Sequence, residues 1–135
     1  MNPLAVVLDT SAVLAYADGQ VAVGELLTMV AEEGRLAAVP ASCLVAARAA
    51  VTDDFGVQQL GRLTSASAVA VLPLMPNEAL EVGRLARAAS GDAGAGHATH
   101  VAFAHEAHYA TTQPRTAAGF LPAHWSILDL SPGHP

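Results

Sequence analysis

Ala5-Val6-Val7-Leu8 is an unbroken apolar run that leads directly into Asp9-Thr10-Ser11, an acid followed by two hydroxyls. A run without polar alternation predicts a strand buried on both faces, as in a parallel sheet. Thr10 or Ser11 is the predicted cap of a helix that Ala12-Val13-Leu14-Ala15-Tyr16 begins. After a turn at Ala17-Asp18-Gly19-Gln20, the stretch from Val21 to Glu33 places Val23, Leu26, Leu27 and Val30 at helical spacing, with Gly34 as its stop. Leu36-Ala37-Ala38-Val39 predicts a second strand ended by Pro40, and a helix follows from Ala41 or Ser42 to about Ala50.

The second half repeats this rhythm. A helix is predicted from Asp53 to Ser65 with Phe55, Leu60 and Leu63 on its apolar face, then a buried strand over Ala68-Val69-Ala70-Val71-Leu72. Pro76 and Asn77-Glu78 suit the first turn of a helix that runs to about Ala89 and buries Leu80, Leu85 and Ala88. Ser90 to Gly96 reads as a flexible loop, His97 to His108 as a helix, and Tyr109-Ala110-Thr111-Thr112 as a strand. A helical turn over Pro114 to Gly119 and a closing strand over Trp125-Ser126-Ile127-Leu128 complete the chain. Strands alternating with helices predict a three-layer α/β/α sandwich with a central, mostly parallel sheet. Residues 1–130 are expected to form one domain, with 131–135 as a disordered tail.

Composition narrows the class. The chain is 53% hydrophobic, yet no apolar run nears the ~20 residues that span a bilayer. No basic region or cleavage site precedes Asp9, so a cytoplasmic, non-membrane protein is expected. The single cysteine, Cys43, lies in an apolar run and is expected to be buried and inert. A net charge of −6 argues against a broad nucleic-acid-binding face.

Asp9 is the leading functional residue, because ligands bind at the carboxyl ends of strands in open α/β sheets. A receiver-type phospho-acceptor aspartate needs a later lysine, and the chain has none. A dehalogenase-type phosphatase needs a second aspartate two residues on, where Ser11 stands. His97, His100 and His108 would fall within about 80° on a helix wheel. The one-turn spacing of His97 and His100 suits a borderline metal, so zinc or manganese at Asp9 and His97, joined by His100, is a candidate site. His124 and Trp125 are expected to be packing or edge residues.

Val-Leu-Asp-Thr-Ser-Ala-Val-Leu-Ala, Ala-Val-Pro-Ala-Ser-Cys-Leu-Val-Ala, His-Ala-Thr-His-Val-Ala-Phe-Ala and Ala-Thr-Thr-Gln occur in that order, and together they resemble the PIN-domain family, in particular its small toxin-like members. The resemblance implies a magnesium- or manganese-dependent ribonuclease site built from acids of four separated segments. It also implies a homodimer beside an antitoxin-like protein partner, with RNA as a further partner. Carried onto this chain, the first acid is Asp9, with the hydroxyl of Ser11 or Thr10 beside it. The second falls on Ala46 (Ala47 if the register slips by one), the third on His97 and the fourth on Gln113. Asp92, Asp53, Asp54 and Glu106 are the acids that could fill a vacant role, with Asp92 foremost. The resemblance therefore implies a degenerate member acting through protein or RNA binding, and, as the alternative, a nuclease with a rearranged site.

Overall fold

A computed structural model describes residues 3–132. Five strands, β1 (Leu4–Leu8), β2 (Leu36–Pro40), β3 (Val69–Leu72), β4 (His108–Thr111) and β5 (Ile127–Asp129), form one sheet in the order β3-β2-β1-β4-β5. Every pairing is parallel. Seven α-helices of the described residues cover the sheet: α1 (Thr10–Ala17), α2 (Val21–Glu32), α3 (Ala41–Ala50), α4 (Asp54–Ser65), α5 (Ala79–Ala88), α6 (Ala93–His105) and α7 (Pro114–Ala118). The result is a three-layer α/β/α sandwich, and β1 at its centre is buried at all five positions.

The two apolar cores explain why β1 shows no alternation. Val6, Leu8, Ala37, Val39 and Ala110 pack with α1, α2 and α4 on one face, through Val13, Val23, Leu27, Leu60 and Leu63. Val7, Ala38 and Tyr109 pack with Ala98, Val101, Ala102 and Ala117 of α6 and α7 on the other. A strand covered twice needs apolar residues at every position. Among the described residues, no single helix is long and apolar enough to cross a membrane.

Several expected elements differ, each for a tertiary reason. Asp9, not Thr10 or Ser11, caps α1: its Oδ1 accepts the Ala12 N–H at 2.9 Å. β3 is an edge strand and only half-buried, with Val71 exposed, because nothing pairs beyond it among the described residues. Phe55 is exposed, lying against Gly19 rather than in the core. The helix after Pro76 begins as a 3-10 turn (Pro76–Glu78), and α5 buries Val82 and Ala86 while Leu80 is 91% exposed. Ser131 donates from its N–H to Asp129 Oδ1 at 2.8 Å, and the rest of the expected tail, residues 133–135, lies outside the described residues.

The largest departure is α6. It starts at Ala93, inside the stretch expected to be a loop, because Asp92 caps it through the Ala95 N–H at 3.1 Å. Its glycines serve close packing. A Cβ on Gly96 would stand 2.5 Å from the Val82 carbonyl oxygen and 2.8 Å from Ala86, so α5 and α6 meet backbone to backbone there. A Cβ on Gly94 would stand 2.6 Å from Thr10 Oγ1. The helix ends at His105, with Glu106 in the left-handed region (φ 52°), which puts His108 in β4 rather than on the histidine face. Trp125 precedes β5 instead of opening it; its indole N–H donates to the Ala107 carbonyl at 3.0 Å and its ring lies 4.9 Å from that of Phe103.

Gly96→Ala should destabilise the fold by about 1–3 kcal/mol through overpacking. Gly83→Ala, with nothing within 4 Å of the added methyl, should stabilise α5 by about 0.5–1 kcal/mol. Urea denaturation of both variants measures the contrast, and equal shifts would contradict the close approach of α5 and α6.

Candidate functional site

From β1 the chain winds outward through β2 to β3, then returns to β1's other side for β4 and β5. Winding reverses between β1 and β4, and in an open parallel sheet the loops diverge at that point to leave a crevice. A cleft of about 180 Å³ lies there, lined by Asp9, Thr10, Ser11, Asp92, Tyr109 and Gln113 among others. The backbone closes its floor, with the Asp9 N–H donating to the Ala110 carbonyl at 3.2 Å.

A chain of hydroxyls ties the two strand ends together. The Ser11 hydroxyl donates to Asp9 Oδ1 at 2.6 Å, so its oxygen is left to accept. It accepts the Thr112 N–H at 2.9 Å and faces Thr111 Oγ1 at 3.1 Å, which makes Thr111 the donor of that pair. The Gln113 N–H completes the chain at Thr111 Oγ1, 3.0 Å away. Ser11 is thus a positioning group for Asp9 and β4, with no base beside it among these contacts.

Burial raises the Asp9 pKa above the ordinary carboxylate range, and the groups opposing it are the Ser11, Thr111 and Tyr109 hydroxyls and the Ala12 amide, all neutral. The Tyr109 hydroxyl is raised as well, first by burial and then by the Asp9 charge. That hydroxyl faces the Asp9 carboxyl, and the buried Thr10 hydroxyl faces the Cys43 thiol. Cys43 is fully buried, and its thiol donates to the Gly94 carbonyl at 3.2 Å. Burial, aided by the charges of Asp9 and Asp92, pushes its pKa up to about 12, far from a reactive thiolate.

Of the predicted residues, Asp9, Thr10, Ser11, Asp92 and Gln113 all line the cleft. Ala46 and His97 do not. Ala46 is exposed on α3. His97 is fully buried, its Nδ1 facing Ser42 Oγ at 3.0 Å and accepting the Ser42 N–H at 3.4 Å, which leaves the proton on Nε2. Burial lowers its pKa, partly opposed by the charge of Glu78. His97 therefore packs against Ser42 and does not line the cleft that holds Asp9. His100 pairs with Glu78 at 2.9 Å and His108 with Ser126 at 2.6 Å. Asp53, Asp54 and Glu106 are exposed and lie outside the cleft. Among the described residues, no group of three or more His, Cys, Asp or Glu side chains is placed to hold a metal ion.

Sequence reasoning passed over Tyr109, Leu14, Thr116 and Phe120, which also line the cleft. Tyr109 carried a usable signal: a tyrosine in a buried strand must bring its hydroxyl to a polar partner or a cavity. Compared with known proteins, the chain matches no family model and no curated protein.

Asp9→Asn keeps the cap oxygen while removing the buried charge. A carboxyl with a raised folded pKa binds its proton more tightly in the fold, so the native protein loses stability as pH rises from about 3.9 through that pKa. Asp9→Asn should therefore be the more stable protein at neutral pH, with the gap closing toward acid. Asp9→Ala, which lacks the cap, should be less stable than Asp9→Asn by about 1 kcal/mol. Thermal melts across pH read both effects; a gap that widened toward acid would contradict the assignment.

Proposed function

We propose that this chain is a PIN-like domain whose acidic site is degenerate, and that it acts in the cytoplasm by binding, in a regulatory or toxin–antitoxin-like role. The observation that carries the reading is the residue set around the cleft. Asp9 and Gln113 line it at the positions where the resembling family has its first and fourth acids, and only one is acidic. The second and third positions are Ala46 and His97, outside the cleft. Magnesium wants several oxygen ligands in strict octahedral geometry. Among the described residues only two carboxylates line the cleft, so the donor set is short of the oxygens that ion takes.

A protein partner fits better than RNA as the main contact. The net charge of −6 opposes a polyanion, while Val45 (69% exposed) and Leu80 (91%) leave apolar side chains on the surface. A homodimer beside an antitoxin-like protein is the assembly that the resemblance suggests. The second reading, a working nuclease with a rearranged site, is favoured by one observation: Asp92 faces the same cleft as Asp9.

Incubation with structured RNA and magnesium or manganese should give no cleavage beyond that of Asp9→Asn. Cleavage that vanishes in Asp9→Asn would establish the second reading instead. Sedimentation equilibrium should give a dimer mass, and a monomer at every concentration would remove the homodimer.

A further inference from the structure

At the start of β4 and β5 the surface holds an open hollow of about 520 Å³, lined by Phe103, Glu106, His108, His124 and Trp125 among others. β4 runs parallel to β1, with His108 beside Val6 and Ala110 beside Leu8, so this hollow and the Asp9 cleft lie at opposite ends of the strands. Its aromatic rings are held in place yet remain partly open. The Trp125 indole is fixed by its N–H on the Ala107 carbonyl at 3.0 Å, and Phe103 lies tilted against it at 4.9 Å with 36% of its surface exposed. The His124 ring stands 6.2 Å from the indole. Exposed aromatic faces attract cations through the ring quadrupole.

A second, independent observation gives the hollow its sign. Glu106 closes α6 in the left-handed region (φ 52°), a conformation that glycine or asparagine adopts at less cost. It also sets a negative charge at the negative end of the helix dipole, where a basic residue is favoured. No hydrogen bond or ion pair within the described residues compensates Glu106. An exposed residue that breaks two local rules without a gain inside the fold points to a role toward another molecule.

We propose that this hollow receives an arginine side chain from a basic segment of a partner protein. The guanidinium lies on the Trp125 and Phe103 rings and donates to the Glu106 carboxylate. A planar, weakly hydrated fork of donors suits a ring face and a carboxylate together, whereas an ammonium is a compact, strongly hydrated point charge. An aliphatic occupant would cover the carboxylate without pairing it, and an anion would meet both Glu106 and the negative end of α6. Charge complementarity extends past the hollow: the chain has 12 acidic residues against 6 basic ones, which draws a basic segment toward it. The hollow serves this role whether or not the chain is PIN-like, since neither Asp9 nor its cleft takes part.

The test titrates the full chain with a capped Gly-Arg-Gly peptide at low salt and mildly alkaline pH, where imidazole is ordinarily neutral. Capped Gly-Lys-Gly and Gly-citrulline-Gly are the comparison peptides. Trp125 is the only tryptophan, so its fluorescence reports the hollow directly, and amide NMR locates the contact. The arginine peptide should bind with a dissociation constant on the order of 1 mM, weakening as salt is added. Citrulline, uncharged and nearly the same shape, should bind about tenfold more weakly, and lysine severalfold more weakly. Glu106→Gln should weaken the arginine peptide about tenfold. Glu106→Gly should weaken it as much while raising the melting temperature of the free protein, because glycine takes the left-handed conformation without strain. A merely structural glutamate would not give those two opposite effects. Equal binding of citrulline and arginine, indifference to Glu106→Gln, or no saturable change at Trp125 would each overturn the proposal. Amide shifts around Asp9 and Asp92 in place of Glu106 and Trp125 would overturn it too, by assigning the arginine to the other end of the sheet.

Discussion

Pairing of β1 with β2 on one side and β4 on the other is the constraint from which the rest follows. It buries every residue of the strand and reverses the winding of the chain at the strand's carboxyl end. Asp9 is the first residue beyond that end, so its carboxylate emerges in the crevice and at a helix N-terminus together. The cap and the Ser11–Thr111 hydroxyl chain then lock it. Few positions in the molecule have so little freedom.

Small residues decide what else reaches the crevice. Gly94 brings the start of α6 against Thr10 and Cys43, and Gly96 brings the same helix against α5. A helix seated that closely turns His97 toward Ser42 and carries Asp92, its cap, to the rim of the cleft. Ala47 of α3 and Ala98 and Ala102 of α6, all fully buried, follow from the same tightness, because larger side chains would hold the layers apart. Close packing thus displaces one candidate ligand and supplies another.

The electrostatics of the cleft are those of charge without a counter-ion. Burial raises the Asp9, Tyr109 and Cys43 pKa values, and the carboxylate charges add to it at the tyrosine and the thiol. A low-dielectric wall strengthens whatever interaction enters the site.

Local sequence determined the elements whose signals are local. The apolar run before Asp9, the stop at Gly34, the Pro40 boundary and the pairing of Leu60 with Leu63 read correctly as strand, helix end and core, because each depends on neighbours within a few residues. Parallel order, the crevice and the presence of Asp9, Ser11, Asp92 and Gln113 around it were foreseeable in outline from a strand-then-helix alternation. The start of α6 was not, since glycines disfavour an isolated helix and only contact with Val82, Ala86 and Thr10 makes them the residues that fit. Nor could the sequence show that His97 faces Ser42, that Leu80 points to solvent or that Tyr109 lines the cleft. Those depend on how far one helix approaches another, a distance set by the whole core rather than by any stretch of chain.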